Sequence, residues 1–284
     1  MVKVYNFVEY FNAVKRIKQS CPTDEKLFYR GISDATFDLL PGIKFEKKVT
    51  EYDEYHNLLL EYPDEFNTKD HLGTLAKMQH YGASTRLLDV SDNILTALFF
   101  ASEQKQDCDG KVWVFRVPKR EVLHHNSDKA MMLACLPAIR EADKEKIKQF
   151  CETHRGEITD QQIVGHPEMI RFLHEIRGEY PAFETAIVGQ DILDCFFVQA
   201  NKNNVRMRVQ SGYFVICGLT DERACKQKLE THVVEEIIID KNKKTQILEE
   251  LSLMNVRSDT VYPDLERTAI YLRNKKLGWK DLKE

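Results

Sequence analysis

The chain has 284 residues, of which 43% are hydrophobic and 10% aromatic, enough to close a sizeable core as one large domain or two smaller ones and to exclude a disordered or fibrous protein. A formal net charge of -4 gives no overall basic field, which argues against nonspecific binding to nucleic acid or a membrane surface and leaves room only for a local basic site. No apolar run approaches the roughly 18 residues of a bilayer span. The charged opening MVKVYNFVEYFNAVKRIKQ lacks the apolar stretch of a signal peptide, so no membrane association and a cytoplasmic location are expected.

Phe7, Val8, Phe11, Val14 and Ile17 have the spacing of an amphipathic helix, which the turn Cys21-Pro22-Thr23-Asp24 ends. A short strand follows at Leu27-Phe28-Tyr29 and runs into Arg30-Gly31. After an irregular stretch through Phe37 and Leu40 to Pro41-Gly42, Tyr52, Tyr55, Leu58, Leu59 and Tyr62 predict a helix closed by Pro63. Leu72, Leu75, Ala76, Met78 and Gln79 predict the next, with Gly82 beyond its last turn. Between that helix and an apolar one carrying Ile94, Leu95, Ala97, Leu98, Phe99 and Ala101, the sequence reads as a rigid polar loop holding His80, Ser84, Thr85, Arg86 and Asp89, with Ser91 or Asp92 capping the second helix. Arg86 and Asp89 are expected to form a buried pair.

Lys111 to Val117 is the clearest strand, bounded by Asp109-Gly110 and Pro118. Residues 127–177 read as an inserted helical segment. Strand character returns at Cys195 to Val198, Tyr213 to Cys217 and Val233 to Ile239, followed by helices over about Lys244 to Leu253 and Asp264 to Lys275. Strands mixed with helices, without regular βαβ alternation, predict an α+β fold: a single mixed, mainly antiparallel sheet flanked by helices, with the helical insertion outside it. The seven cysteines (21, 108, 135, 151, 195, 217 and 225) form no CxxC pair and no tight Cys/His cluster, so reduced thiols are expected and no metal.

The motifs of dinucleotide oxidoreductases, P-loop NTPases, zinc proteases and α/β-hydrolases are absent. What stands out is Tyr29-Arg30-Gly31, since arginine offers a planar fork to phosphate or carboxylate and glycine allows close approach. A second signal is the segment from Asn203 to Phe214, which delivers Gln210 to a glycine ahead of a strand.

Phe28-Tyr29-Arg30-Gly31 with Leu40-Pro41-Gly42, Gln79-His80-Tyr81-Gly82, Thr85-Arg86-Leu87-Leu88-Asp89 and Ala97-Leu98-Phe99-Phe100-Ala101 resembles the FRG domain family. Ala83-Ser84 stands where that family usually has Leu-Pro, and Val90 where it often has Trp. Arg208, Gln210, Ser211, Gly212 and Phe214 resemble a later family segment, as does Tyr262-Pro263-Asp264-Leu265. The strand ending in Tyr-Arg-Gly is also similar to the first motif of ADP-ribosyltransferases of the Arg-Ser-Glu type. That similarity implies NAD as substrate, with Arg30 on its phosphates, Ser84-Thr85 shaping the nicotinamide pocket and Glu235 as the nearest counterpart of the catalytic glutamate.

The resemblance thus implies an NAD-consuming transferase or glycohydrolase, acting as an intracellular bacterial toxin or phage-defence effector, with a macromolecular acceptor or a cognate antitoxin as partner. The roles it gives are His80, Gln210 and Glu235 in catalysis, and Tyr29, Arg30, Gly31, Gln79, Ser84, Thr85, Arg86, Asp89 and Phe214 in binding. A non-catalytic nucleotide- or partner-sensing module and an RNA- or DNA-directed hydrolase using His80 and Asp89 stay open as alternatives. Arg30, His80, Gln210 and Thr85 are expected to converge on one concave pocket.

Overall fold

The alternating apolar residues of the central segments pair into one extended sheet, on whose faces the amphipathic helices close. The computed structural model describes residues 1–44, 48–66, 69–184, 187–199 and 212–263, with residue 269. Its strands are β1 (Val2–Val4), β2 (Glu25–Ile32), β3 (Leu87–Ser91), β4 (Gly110–Pro118), β5 (Leu123–His124), β6 (Glu157–Ile158), β7 (Ile187–Val188), β8 (Cys195–Gln199), β9 (Gly212–Cys217) and β10 (Val233–Ile239). Its helices are α1 (Phe7–Gln19), α2 (Glu51–Glu61), α3 (His71–His80), α4 (Ile94–Ser102), α5 (Asp128–Ala134), α6 (Glu141–Thr153), α7 (Asp160–Ile163), α8 (Pro167–Glu179), α9 (Gly189–Ile192), α10 (Glu222–Glu230), α11 (Lys244–Leu253) and α12 (Ser258–Val261). Among the described residues no helix is long and apolar enough to cross a membrane.

Eight strands form the main sheet in the order β1, β10, β4, β2, β3, β9, β8, β5, while β6 and β7 make a separate ribbon. The outer pairs β1 with β10 and β5 with β8 are parallel and the inner ones antiparallel, as an α+β fold with a mixed, mainly antiparallel sheet requires. All five strands anticipated from the sequence share this sheet.

Three features depart from the sequence reading. Leu87–Ser91, expected inside a polar loop, is the central strand β3; both its faces are covered except at Asp89, so its residues do not alternate between apolar and polar. Arg30-Gly31 lies within β2 and not at its end. The cap of α4 is Asn93, whose side chain accepts from the Leu95 N–H at 2.9 Å, in place of Ser91 or Asp92. The helix expected over Asp264 to Lys275 lies outside the described residues.

On one face of the sheet, Leu27, Tyr29, Val112, Val114, Ile237 and Ile239 pack under α1, α4 and α11. On the same side farther along, Leu87, Val198, Phe214 and Ile216 pack under α3 and the helices α5, α6 and α8 of the 127–177 segment. The opposite face gathers Phe28, Leu88, Val90, Phe115, Phe197 and Val215 beneath Leu39, Leu40 and the Cys225 and Leu229 side of α10. The helical layer is therefore divided into two groups, one over β2 and β4 and one over β3 and β9.

Helix α4 lies unusually close to the sheet. A Cβ added at Gly31 would come within 1.8 Å of the Ala97 carbonyl oxygen, and one at Gly110 within 2.0 Å of the Ala101 carbonyl oxygen. The two carbonyls are one helical turn apart, and the two glycines lie on the adjacent strands β2 and β4, so both are needed for the helix to rest there.

Beside it, Arg86 is buried and does not pair with Asp89. Its Nε donates to Glu51 Oε1 at 2.8 Å, Nη2 donates to Glu51 Oε2, and Nη1 donates to the Cys217 carbonyl at 2.8 Å. Lys144 donates to the same Glu51 carboxylate and to Glu141, at 2.7 Å each. Asp89, three residues farther along, is the exposed position of β3 and lines the cavity described below, not the buried cluster. Burial alone would push the Glu51 carboxyl up, but Arg86 and then Lys144 outweigh it and lower its pKa to about 2.

Two consequences can be measured. Arg86→Ala should cost about 3 to 5 kcal/mol in chemical denaturation, because it leaves the buried Glu51 carboxylate with only Lys144 in place of its two-nitrogen partner. Since the folded pKa of Glu51 lies below its ordinary value of 4.5, its stabilisation is complete above pH 4.5 and lost as pH falls toward 2. Stability in that window should fall with acid in the parent and vary much less in Glu51→Gln; equal slopes would disprove the linkage. Separately, Gly31→Ala should destabilise by about 3 kcal/mol or more, since backbone and not a movable side chain occupies the space; an unchanged melting temperature would mean that α4 shifts freely.

Candidate functional site

The site follows from the way β2 and β3 meet. They pair only at Tyr29 and Ser91 and then separate, so the sheet opens beneath the divide between α3 and α4. A cavity of about 350 Å³ occupies this opening. Tyr29, Arg30 and Gly31 of β2 line it, with Asp89 of β3, Gln79 and His80 of α3, Thr96 and Phe100 of α4, and Gly212 and Phe214 of β9.

Arg30 spans the opening. Its Nη1 donates to the backbone carbonyl of Asp89 at 2.8 Å, while its Nε is buried without a hydrogen-bond partner. Burial lowers the Arg30 pKa from its ordinary value, and the Asp89 charge partly offsets this. A desolvated guanidinium with an unused donor favours an anionic guest with oxygen acceptors, such as a phosphate or carboxylate.

Local structure fixes the other polar groups. Gly82, at φ 95°, ends α3 with a Schellman pattern in which the Gly82 N–H donates to Gln79 O and the Ala83 N–H to Met78 O, both at 3.0 Å. This termination holds His80 at the cavity wall, its ring 4.9 Å from that of Tyr81. The Thr85 hydroxyl donates to Gln79 Oε1 and accepts from the Leu87 N–H at 3.1 Å, which fixes the orientation of the Gln79 amide. Burial raises the Tyr29 hydroxyl to about 12, so it stays protonated at neutral pH.

The rim carries groups to which the sequence reading gave no site role. The Tyr262 hydroxyl donates to Glu103 Oε2 at 2.7 Å. The Thr36 hydroxyl and the Lys105 ammonium hold the Asp34 carboxyl down to about 2. Lys244, with 0% of its surface exposed, donates from Nζ to the carbonyls of Ser33 at 2.6 Å, Gln104 at 3.0 Å and Lys105 at 2.9 Å, tying two cavity-lining segments to α11. The available signal for Lys244 was its register with Ile247 and Leu251 on the buried side of the helix.

Of the residues singled out in the sequence, Tyr29, Arg30, Gly31, Gln79, His80, Asp89 and Phe214 line this cavity together. Thr85 stands behind Gln79. Ser84 lies elsewhere, its N–H donating to Glu54 Oε1 at 3.1 Å, and Arg86 belongs to the buried cluster with Glu51. Glu235 is on β10, toward the far edge of the sheet, where its carboxylate pairs with the Met1 ammonium at 2.6 Å. The expected convergence of Arg30 with His80 is present, with Thr85 one contact away; Gln210 lies outside the described residues.

If Arg30 is kept for a guest and not for the fold, Arg30→Met should unfold within about 1 kcal/mol of the parent, because the apolar replacement removes a desolvation cost along with one hydrogen bond. Denaturant titration of both proteins measures this, and a loss of several kcal/mol would instead make Arg30 a structural brace.

No curated protein and no solved structure matches the chain. Residues 25–110 match the FRG domain family, from the first residue of β2 to the first of β4, and so include the Tyr29-Arg30-Gly31 motif, α3, β3 and α4. The segment that builds most of the cavity is an FRG domain.

Proposed function

We propose that the FRG domain of this chain binds NAD in the opening between β2 and β3 and cleaves its nicotinamide glycosidic bond, as an ADP-ribosyltransferase or NAD glycohydrolase. The observation that carries the reading is Arg30, a half-buried arginine whose buried Nε donor is unused, at the point where the sheet parts. It is suited to a diphosphate. The apolar surfaces of Phe100 and Phe214 offer a slot for the nicotinamide ring, and Gln79 and His80 supply polar contacts from α3.

Cleavage breaks the ribose C1′–N1 bond, and both bonding electrons leave with nicotinamide, which departs neutral. The ribosyl oxocarbenium ion left behind needs a negative group nearby. Asp89 takes that role in this proposal, in place of Glu235: it is an exposed carboxylate residue on the cavity wall, whereas Glu235 is on β10, next to the edge strand β1, and pairs with the Met1 ammonium. Water or an acceptor nucleophile then bonds to C1′ and gives up its proton. A bacterial toxin or phage-defence effector is the setting we infer, with a macromolecular acceptor as the second substrate.

Incubation of the pure chain with NAD should release nicotinamide. Asp89→Asn should lower that rate by at least about 100-fold while NAD still binds, and Arg30→Ala should lose binding itself. A nucleotide-sensing module is the second reading, favoured because Glu103 and Asp34 are already engaged by Tyr262, Thr36 and Lys105. Stoichiometric NAD binding with neither nicotinamide release nor label transfer would overturn catalysis in favour of sensing, and absence of NAD binding would overturn both.

A further inference from the structure

Three of the seven cysteines, distant in sequence, meet in space. Cys195 opens β8 and stands opposite Cys217, the last residue of β9, and Cys225 reaches them from α10. The Sγ atoms of Cys195 and Cys225 are 3.8 Å apart, those of Cys225 and Cys217 are 3.5 Å apart, and all three lie within 4.8 Å of one another. None is in a disulfide. This corrects the expectation of no tight cysteine cluster, which rested on spacing along the chain: the antiparallel pairing of β8 with β9 and the return of α10 bring distant positions together.

We propose that Cys195, Cys217 and Cys225 form a three-thiolate site for a soft metal ion, copper(I), at the end of β9 remote from the cavity. A metal about 2.3 Å from three sulfurs in a plane places those sulfurs about 4 Å apart, near the separations found here. Soft thiolates select copper(I) or zinc, and zinc in structural sites takes four protein ligands. Among the described residues no fourth Cys, His, Asp or Glu joins the group. The neighbouring Asp194 carboxylate accepts from the Cys195 N–H at 2.7 Å and pairs with Lys228. A three-coordinate ion therefore fits the donor set better than a four-coordinate one.

Binding exchanges the thiol S–H bonds for Cu–S bonds, releases those protons to solvent and leaves copper and sulfur in their starting oxidation states. Cys217 and Cys225 are buried, while Cys195 is half-buried and gives the ion a route in.

The test uses the full chain, reduced and kept free of oxygen, titrated with copper(I) against the chromogenic chelator bathocuproine disulfonate. About one equivalent should be withheld from the chelator, with a new ultraviolet thiolate-to-copper absorption. Cys195→Ser and Cys225→Ser should each weaken binding by more than about 100-fold, since losing even an outer partner of a metal ligand costs about 10 to 100-fold. Cys21→Ser and Cys108→Ser should leave it unchanged. Cys195→Ser, at the half-buried position, carries the test if Cys225→Ser fails to fold. The proposal is overturned if the reduced chain withholds no copper, if a folded Cys195→Ser variant binds like the parent, or if mass analysis finds Cys217 and Cys225 joined as a disulfide in freshly isolated protein.

Discussion

The close seating of α4 on β2 and β4 is the constraint from which the rest of the architecture follows. With the Ala97 and Ala101 carbonyls resting over Gly31 and Gly110, the register and height of the helix are fixed by backbone contact, not by side chains that could repack. A helix held that low covers β2 and β4 and leaves β3 and β9 to α3 and the helices of the 127–177 segment. The space between the two helical groups is the cavity. Thus the glycine of the Tyr-Arg-Gly motif and the alanines of the Ala-Leu-Phe-Phe-Ala helix are halves of one packing contact, and Arg30 is carried to the cavity as their neighbour.

The two arginines of this region have opposite surroundings. Arg86 is saturated: Glu51 accepts from two of its nitrogens and the Cys217 carbonyl from a third, with Lys144 sharing the carboxylate. Such a cluster joins α2, α6, β3 and β9 and has no capacity left for a ligand. Arg30 donates to a backbone carbonyl and keeps a buried nitrogen without a partner. Side-chain type alone would rank the two equally as anion-binding groups. Their environments separate a brace from a binding group.

That distinction also marks what could be read from the sequence. The strands Lys111 to Val117, Tyr213 to Cys217 and Val233 to Ile239 were legible because they are apolar runs bounded by turn residues, and α3 because its apolar spacing and Gly82 agree on one ending. β3 was hidden: five residues covered on both sides, interrupted by the single solvent-facing Asp89, carry neither periodicity. Seven cavity residues were legible because motifs in β2, α3, β3 and β9 mark them. The partner of Arg86 was not, since Glu51 lies 35 positions away and local reasoning supplied Asp89 instead. Lys244 and the three clustered cysteines were missed for the same reason: tertiary contact is what gives each its partners.

Lys244 has a consequence for how the FRG segment should be regarded. Its ammonium group, sealed within the protein, holds Ser33, Gln104 and Lys105, which lie inside the matched residues 25–110, yet it comes from α11 far downstream. The strands have the same dependence: β2 pairs along its whole length with β4, and β3 with β9, both lying almost entirely beyond the match. Excised, residues 25–110 would expose two bare strand edges and leave three carbonyls without their donor. The family signature is therefore a stretch of homology and not a transplantable module. Its cavity can exist only when the later half of the chain has folded around it, so truncation would be expected to yield aggregation where a portable domain would yield a smaller working protein.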